Sequence, residues 1–340
     1  MPGSRKLAAF GGIAVAVVAL LSLGFQFGFP GAAGPGDRLG VYSSNQGRLM
    51  YQVHLPPDYR EDSRPPVMMA LHGCGMSGFG WNSMKSTTRF DRIADAAGFI
   101  VVYPTQSPFQ DVLNCWNSND PADQHRGRGE PELLAGVARE VVAEYHADPG
   151  QVHVAGASSG AGTAVILAAT YPDVFATATS VAGGEYGLNQ VDPEDPAGVP
   201  PSYTAGQAYA QMGPRARQVP LLILQGDQDE AVPPLVADRL VEHWARVADL
   251  AADGLPDGEV DAVPESVVRQ NPPGRHPYTH STYSGAGGGP PVIEFYLVSG
   301  LEHAWSGPAA SGLFTDRAGP DMSRLIWDFA AARPMSGGTR

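Results

Sequence analysis

The stretch VHVAGASSGAGTAVILAAT, residues 152–170, joins a short β-branched run to a helix-forming one through a cluster of small residues. Val152 to Ala155 reads as a buried strand and Ser159 to Thr170 as a helix. Between them Gly156-Ala157-Ser158-Ser159-Gly160 fits the G-x-S-x-G pattern, in which a strand turns sharply into a helix and holds a serine in a strained conformation with its hydroxyl exposed. Small flanking residues are needed there because larger side chains would collide with the adjoining strand and helix. Chance alone would supply such a pentapeptide roughly 0.3 times in a chain of this glycine and serine content, so its weight comes from its place between a strand and a helix.

Outward from this junction the same alternation continues from residue 37 to residue 333, the signature of a mostly parallel sheet covered by helices. Strands are predicted at Leu49–Leu55, Val67–Leu71, Phe99–Tyr103, Val152–Ala155, Phe175–Val181, Leu221–Gln225 and Val292–Val298. Several are continuous apolar runs, as burial on both faces requires. Helices are predicted at Thr88–Ala97, Pro131–His146, Ser159–Thr170, Pro234–Val247 and Asp321–Ala332. Two stretches, Gly183–Val219 and Asp249–Pro291, are rich in Gly, Pro and Asp and too long for plain connections, so they are expected to be excursions over the face that carries the chemistry.

A serine hydroxyl is a poor nucleophile unless a base takes its proton, and the imidazole that does so needs a carboxylate to set its tautomer and stabilise its cation. On a sheet of this kind the acid and then the base follow the nucleophile, each just past a strand. The turn Gly226-Asp227-Gln228-Asp229-Glu230 after Leu221–Gln225 offers three acids, of which Asp229 is preferred because Asp227 sits on the strand exit. After Val292–Val298 comes Gly300-Leu301-Glu302-His303, which makes His303 the candidate base. The other late histidines, His243, His276 and His280, read as ordinary surface residues. Acyl transfer also needs N–H donors for a developing oxyanion. Ser159, next to the nucleophile, supplies one, and Cys74 in the early loop His72-Gly73-Cys74-Gly75 supplies the second.

The formal charge of -13 at pH 7 argues against a nucleic-acid partner, since phosphate binding needs a basic face. At the start, Arg5 and Lys6 precede an apolar run from Leu7 to Leu23, and small residues follow from Pro30. That order reads as an export signal within residues 1–36, either removed or kept as a tether through residues 7–29. The catalytic domain is then expected over 37–333, with 334–340 as a tail. Export would place Cys74 and Cys115, the two cysteines of the chain, in an oxidising compartment where an even count favours a disulfide. Two cysteines cannot build a structural zinc site alone, and no metal or cofactor is called for.

Taken with Leu71-His72-Gly73-Cys74, Val102-Tyr103-Pro104, Cys115-Trp116-Asn117, Asp123-Gln124 and Arg128-Gly129-Glu130-Pro131, these motifs make the sequence similar to the polyhydroxybutyrate depolymerase family of esterases. Relatives of that family include feruloyl and acetylxylan esterases, and all have the α/β-hydrolase fold. The resemblance implies Ser158 as nucleophile, Asp229 as acid, His303 as base, Cys74 at the oxyanion hole, a Cys74–Cys115 bond and an ester substrate. The sequence departs from the family where Met76 replaces a frequent Gln and Ser118 a frequent aromatic, both expected near the acyl cleft. Two other readings are an extracellular acyltransferase using the same residues and a non-catalytic surface binding protein on a hydrolase scaffold.

Overall fold

The computed structural model describes residues 34–107, 111–285 and 289–335. Val67, Met69 and Leu71 point to one side of a sheet, and Met68 and Ala70 to the other. Ile100 and Val102 alternate with Val101 and Tyr103 in the same way, as do Leu221 and Ile223 with Leu222 and Leu224. Successive strand side chains face opposite ways, so a strand covered on both sides must be apolar throughout.

The strands of the main sheet are β1 (Asp37–Ser44), β2 (Gly47–His54), β3 (Val67–Leu71), β4 (Ile100–Thr105), β5 (Val152–Ala157), β6 (Thr177–Val181), β7 (Leu221–Gly226), β8 (Ser266–Gln270), β9 (Tyr278–Tyr283) and β10 (Ile293–Val298). They form one 10-stranded sheet in the order β1-β2-β4-β3-β5-β6-β7-β10-β9-β8. From β4 to β10 the pairing is parallel, and the strands outside that span are antiparallel to their neighbours. The helices are α1 (Met84–Thr88), α2 (Phe90–Ala97), α3 (Gly129–Glu144), α4 (Ser159–Thr170), α5 (Pro201–Met212), α6 (Pro234–Asp253) and α7 (Met322–Ala331). Apolar residues of α3, α4, α5 and α6 pack on one face of the sheet, and those of α1, α2 and α7 on the other. The predicted α/β fold class is therefore observed.

From β3 the chain moves outward to β4, then returns to place β5 on the opposite side of β3. At such a reversal the connections diverge and leave a crevice beyond the carboxyl ends of the strands, where ligands bind in open α/β sheets. Leu71, the last residue of β3, is in register with Gly156 of β5, so the loop starting at His72 and the turn at Ser158 emerge side by side.

Several expectations need correction. The helix predicted from Thr88 breaks at Arg89, which adopts a left-handed φ of 52°, so α1 and α2 are separate. Among the described residues, neither long excursion contributes to the lining of the cavity at the crevice. Asp249–Pro291 contains the end of α6 and the hairpin β8–β9, which extends the sheet at one edge. Gly183–Val219 contains α5, packed beside α4 and α6.

A buried ion pair holds the second of these segments in place. Glu185 accepts from Arg239 Nη2 at 2.8 Å and Nε at 3.1 Å, while Arg239 also donates to the carbonyls of Pro196 and Val199. Thr204 donates to Glu185 at 3.0 Å and meets His243 Nδ1 at 3.1 Å. His243 is fully buried, so it is not the surface histidine expected from its sequence context. Removing one member of such a pair strands a buried charge, so Glu185→Ala should cost about 3–5 kcal/mol of stability. Urea denaturation would register this as a lowered midpoint, and a loss below about 1 kcal/mol would mean the pair acts as weakly as a surface one.

Candidate active site

Ser158 is held between β5 and α4 with φ 54° and ψ -119°. A side chain in that region costs of order 1–3 kcal/mol and persists only where the surroundings impose it. Here the Ser158 N–H donates to the Val181 carbonyl at 2.9 Å. The two motif glycines remove the obstacles: a Cβ at Gly156 would lie 2.0 Å from the Gly160 carbonyl oxygen, and one at Gly160 would lie 2.5 Å from that of His72. The motif's small residues thus let α4 approach β3 and β5 while leaving Ser158 half-buried at the crevice.

Beyond β7 the chain turns so that the Asp229 side chain is buried, with Oδ2 2.8 Å from His303 Nδ1. Its Oδ1 accepts the N–H groups of Ala231 at 3.0 Å and Val232 at 2.8 Å, and Gln225 Nε2 donates to Oδ2 at 3.2 Å. Burial pushes the carboxyl upward, but the hydrogen bonds from His303 and the two N–H groups outweigh it and hold Asp229 below its ordinary value. Asp227 does a different job, accepting the Gly300 N–H at 2.7 Å and so joining the acid turn to the loop that carries His303. Glu230 points to solvent. Close packing of those two loops explains Gly226, where a Cβ would lie 2.1 Å from the Leu301 carbonyl oxygen.

Ser158 and His303 both line one cavity of about 240 Å3, together with Gly73, Cys74 and Met76. Its remaining wall is mostly apolar, including Val181, Trp305 and Phe314. All of the lining residues lie at or beyond the carboxyl ends of sheet strands except Thr87, in α1, and Phe314, in the loop before Thr315. Neither of those two was anticipated. Trp305 could have been noticed from its position two residues past His303, whereas nothing in the spacing around Phe314 points to the cavity. Of the two family departures, Met76 lines the cavity and Ser118 does not.

Cys74 and Cys115 are joined by a disulfide with an S–S distance of 2.05 Å. Among the described residues neither the Cys74 N–H nor the Ser159 N–H has an acceptor; Cys74 lines the cavity, and Ser159 opens α4 next to Ser158. The Ser159 hydroxyl accepts the Trp116 N–H at 3.3 Å, which ties the disulfide loop to the start of α4. His72 is fully buried, accepts the Gln106 N–H at Nε2 and donates from Nδ1 to the Gly73 carbonyl at 2.9 Å. Burial lowers its pKa to about 4, so it stays neutral and serves as a rigid link. Glu130, whose sequence position marks it only as part of the Arg128–Pro131 motif, has a buried carboxyl that receives donors from Asn117 and Gln106. Burial and the nearby Asp123 carboxylate push it up to about 8, against three N–H groups that favour its anion. His276 and His280 are half-buried and paired with Asp316 and Glu294 at 3.0 and 2.8 Å, which corrects their reading as plain surface histidines.

A parallel sheet with a strained serine after β5, an acid after β7 and a histidine after β10 is the arrangement of the α/β-hydrolase fold. The solved acetyl xylan esterase from Aspergillus awamori superposes with a TM-score of 0.63 at 22% identity, covering 78% of this chain and 94% of that one. Residues 49–192 match the family described as Esterase PHB depolymerase, which bears out the resemblance read from the sequence. Poly(3-hydroxyalkanoate) depolymerase C of Paucimonas lemoignei is 29% identical over 274 residues, 77% of this chain and 60% of that protein. A probable acetylxylan esterase A of Neosartorya fischeri is 30% identical over 225 residues, 60% of this chain and 57% of its own length. The chain thus spans less than two thirds of these two relatives.

Proposed function

We propose that this protein is a serine esterase that hydrolyses carboxylic esters, with the catalytic domain over residues 37–333. One observation carries the reading: a serine in a strained turn shares a cavity with a histidine whose far nitrogen is bonded to a buried carboxylate. In this reading Ser158 Oγ attacks the ester carbonyl while His303 takes its proton, and Asp229 stabilises the resulting imidazolium. The negative charge on the carbonyl oxygen is received by the N–H groups of Ser159 and Cys74. Collapse of the tetrahedral intermediate expels the alcohol, which takes the proton back from His303, and water then cleaves the acyl-serine by the same sequence.

A cavity of about 240 Å3 with a mostly apolar wall favours a short acyl group, since sites for drug-sized ligands run from roughly 300 to 1,000 Å3. The relatives named as depolymerase and acetylxylan esterase support ester cleavage in general. Neither the acyltransferase nor the binding-protein reading gains support from them. The disulfide favours a location outside the cytoplasm. No helix among the described residues is long and apolar enough to cross a membrane, and the possible tether at residues 7–29 lies outside them.

A fluorophosphonate probe should label the native protein stoichiometrically and abolish hydrolysis of p-nitrophenyl acetate in parallel. Mass mapping is expected to place the adduct on Ser158. An adduct on Ser159, or activity that survives full labelling, would overturn the assignment.

A further inference from the structure

Resting on that reading, we propose that Glu130 is a positioning residue for the oxyanion loop, aiming the Cys74 N–H from behind through Gln106 and the disulfide. The connection is a closed ring of named bonds. Glu130 Oε2 accepts the Asn117 N–H at 2.8 Å, and Oε1 accepts Asn117 Nδ2 at 2.7 Å and Gln106 Nε2. The same Gln106 amide donates to the Cys115 carbonyl at 3.0 Å, while the Gln106 backbone N–H donates to His72 Nε2 at 3.0 Å. His72 holds the Gly73 carbonyl at 2.9 Å, one residue before Cys74, and Cys74 is bonded to Cys115.

Glu130 and Gln106 therefore grip the loop on both sides of the disulfide, with the buried Glu130 carboxyl group as the fixed point. Glu130, Gln106 and His72 are all buried, so water cannot readily substitute for a missing partner. Glu130 is itself set by α3, where its backbone N–H donates to Asp123 Oδ1 at 2.7 Å. It does not line the cavity, so it acts only through the loop. The bonds run to the segments on either side of one proposed donor.

The test compares Glu130→Gln, Gln106→Leu and the double variant, using p-nitrophenyl acetate kinetics and thermal unfolding of each full-length protein. Displacing a donor by about 1 Å costs up to about 100-fold in rate, so each single variant should lose roughly 10- to 100-fold in kcat with little change in KM. Because both residues act along one connection, the double variant should lose no more than the worse single variant. Gln106→Leu keeps the test available should Glu130→Gln fail to fold. Wild-type kcat in a folded single variant, or multiplicative losses in the double variant, would overturn the proposal. The esterase reading is tested separately, since Glu130→Gln should still take the fluorophosphonate on Ser158, only more slowly.

Discussion

Replacing Ser158 by alanine is expected to lower kcat for ester hydrolysis by about 10⁶-fold, as loss of the nucleophile does where serine and histidine act as a unit. The fold should survive, because the strained turn is imposed by backbone contacts that alanine keeps: the N–H to Val181 and the close approach of Gly156 to Gly160. What remains would be the contribution of the Ser159 and Cys74 N–H groups and of substrate binding, still above the uncatalysed rate. Circular dichroism together with p-nitrophenyl acetate turnover checks both halves. A folded variant within about tenfold of wild type would remove Ser158 from the chemistry, since no part of the mechanism tolerates its absence.

Asp229→Asn should be nearly as damaging, at about 10⁴-fold in kcat, and the geometry gives the reason. Asp229 Oδ1 receives two backbone N–H groups, from Ala231 and Val232, so an asparagine oxygen would be drawn to that side. The amide NH2 would then face His303 Nδ1 and force it to act as an acceptor. That tautomer carries its proton on Nε2, where the serine proton must go, so the base is disabled without any displacement. Asp227→Asn retains an oxygen for the Gly300 N–H and should cost at most about tenfold, the scale of one hydrogen bond. The opposite ranking would make Asp227 the acid. The lowered pKa of Asp229 sets the sign of the acid limb: the stabilisation its carboxylate contributes is fully present above the ordinary carboxylate pKa and is lost as pH falls through the lower folded value.

The parts of the fold that were readable in advance are those whose burial leaves a pattern. β3 and β7 are covered on both faces, and their apolar runs Val67–Leu71 and Leu221–Leu224 announce it. β8 is exposed along its whole length and β9 reads Tyr-Thr-His-Ser-Thr-Tyr, so neither shows an apolar run or a clean alternation. α5 starts at Pro201, after Pro200, and of the residues it buries, Thr204, Ala205 and Ala208 are too small or too polar to make a visible stripe with Met212. Its surroundings are fixed by Glu185 and Arg239, partners 54 residues apart that no local window joins. In the candidate site, Ser158, Asp229 and His303 were readable because each must follow a strand. Glu130 was not, because an acid in the first turn of a helix has an ordinary explanation in the helix dipole.

The Cys74–Cys115 bond also bears on how the protein endures attack by proteases. Val112 is 81% exposed and Leu113 lies beside it, a natural place for a protease to nick the chain. A cut there falls inside the covalently closed loop, so the two fragments stay joined through the sulfur atoms. β4 belongs to the same loop and remains wedged between β2 and β3, while the new ends lie outside the sheet. A nicked molecule can therefore keep its sheet and its Cys74 loop in one piece, and its working lifetime is set by a second cleavage or by a reductant rather than by the first cut.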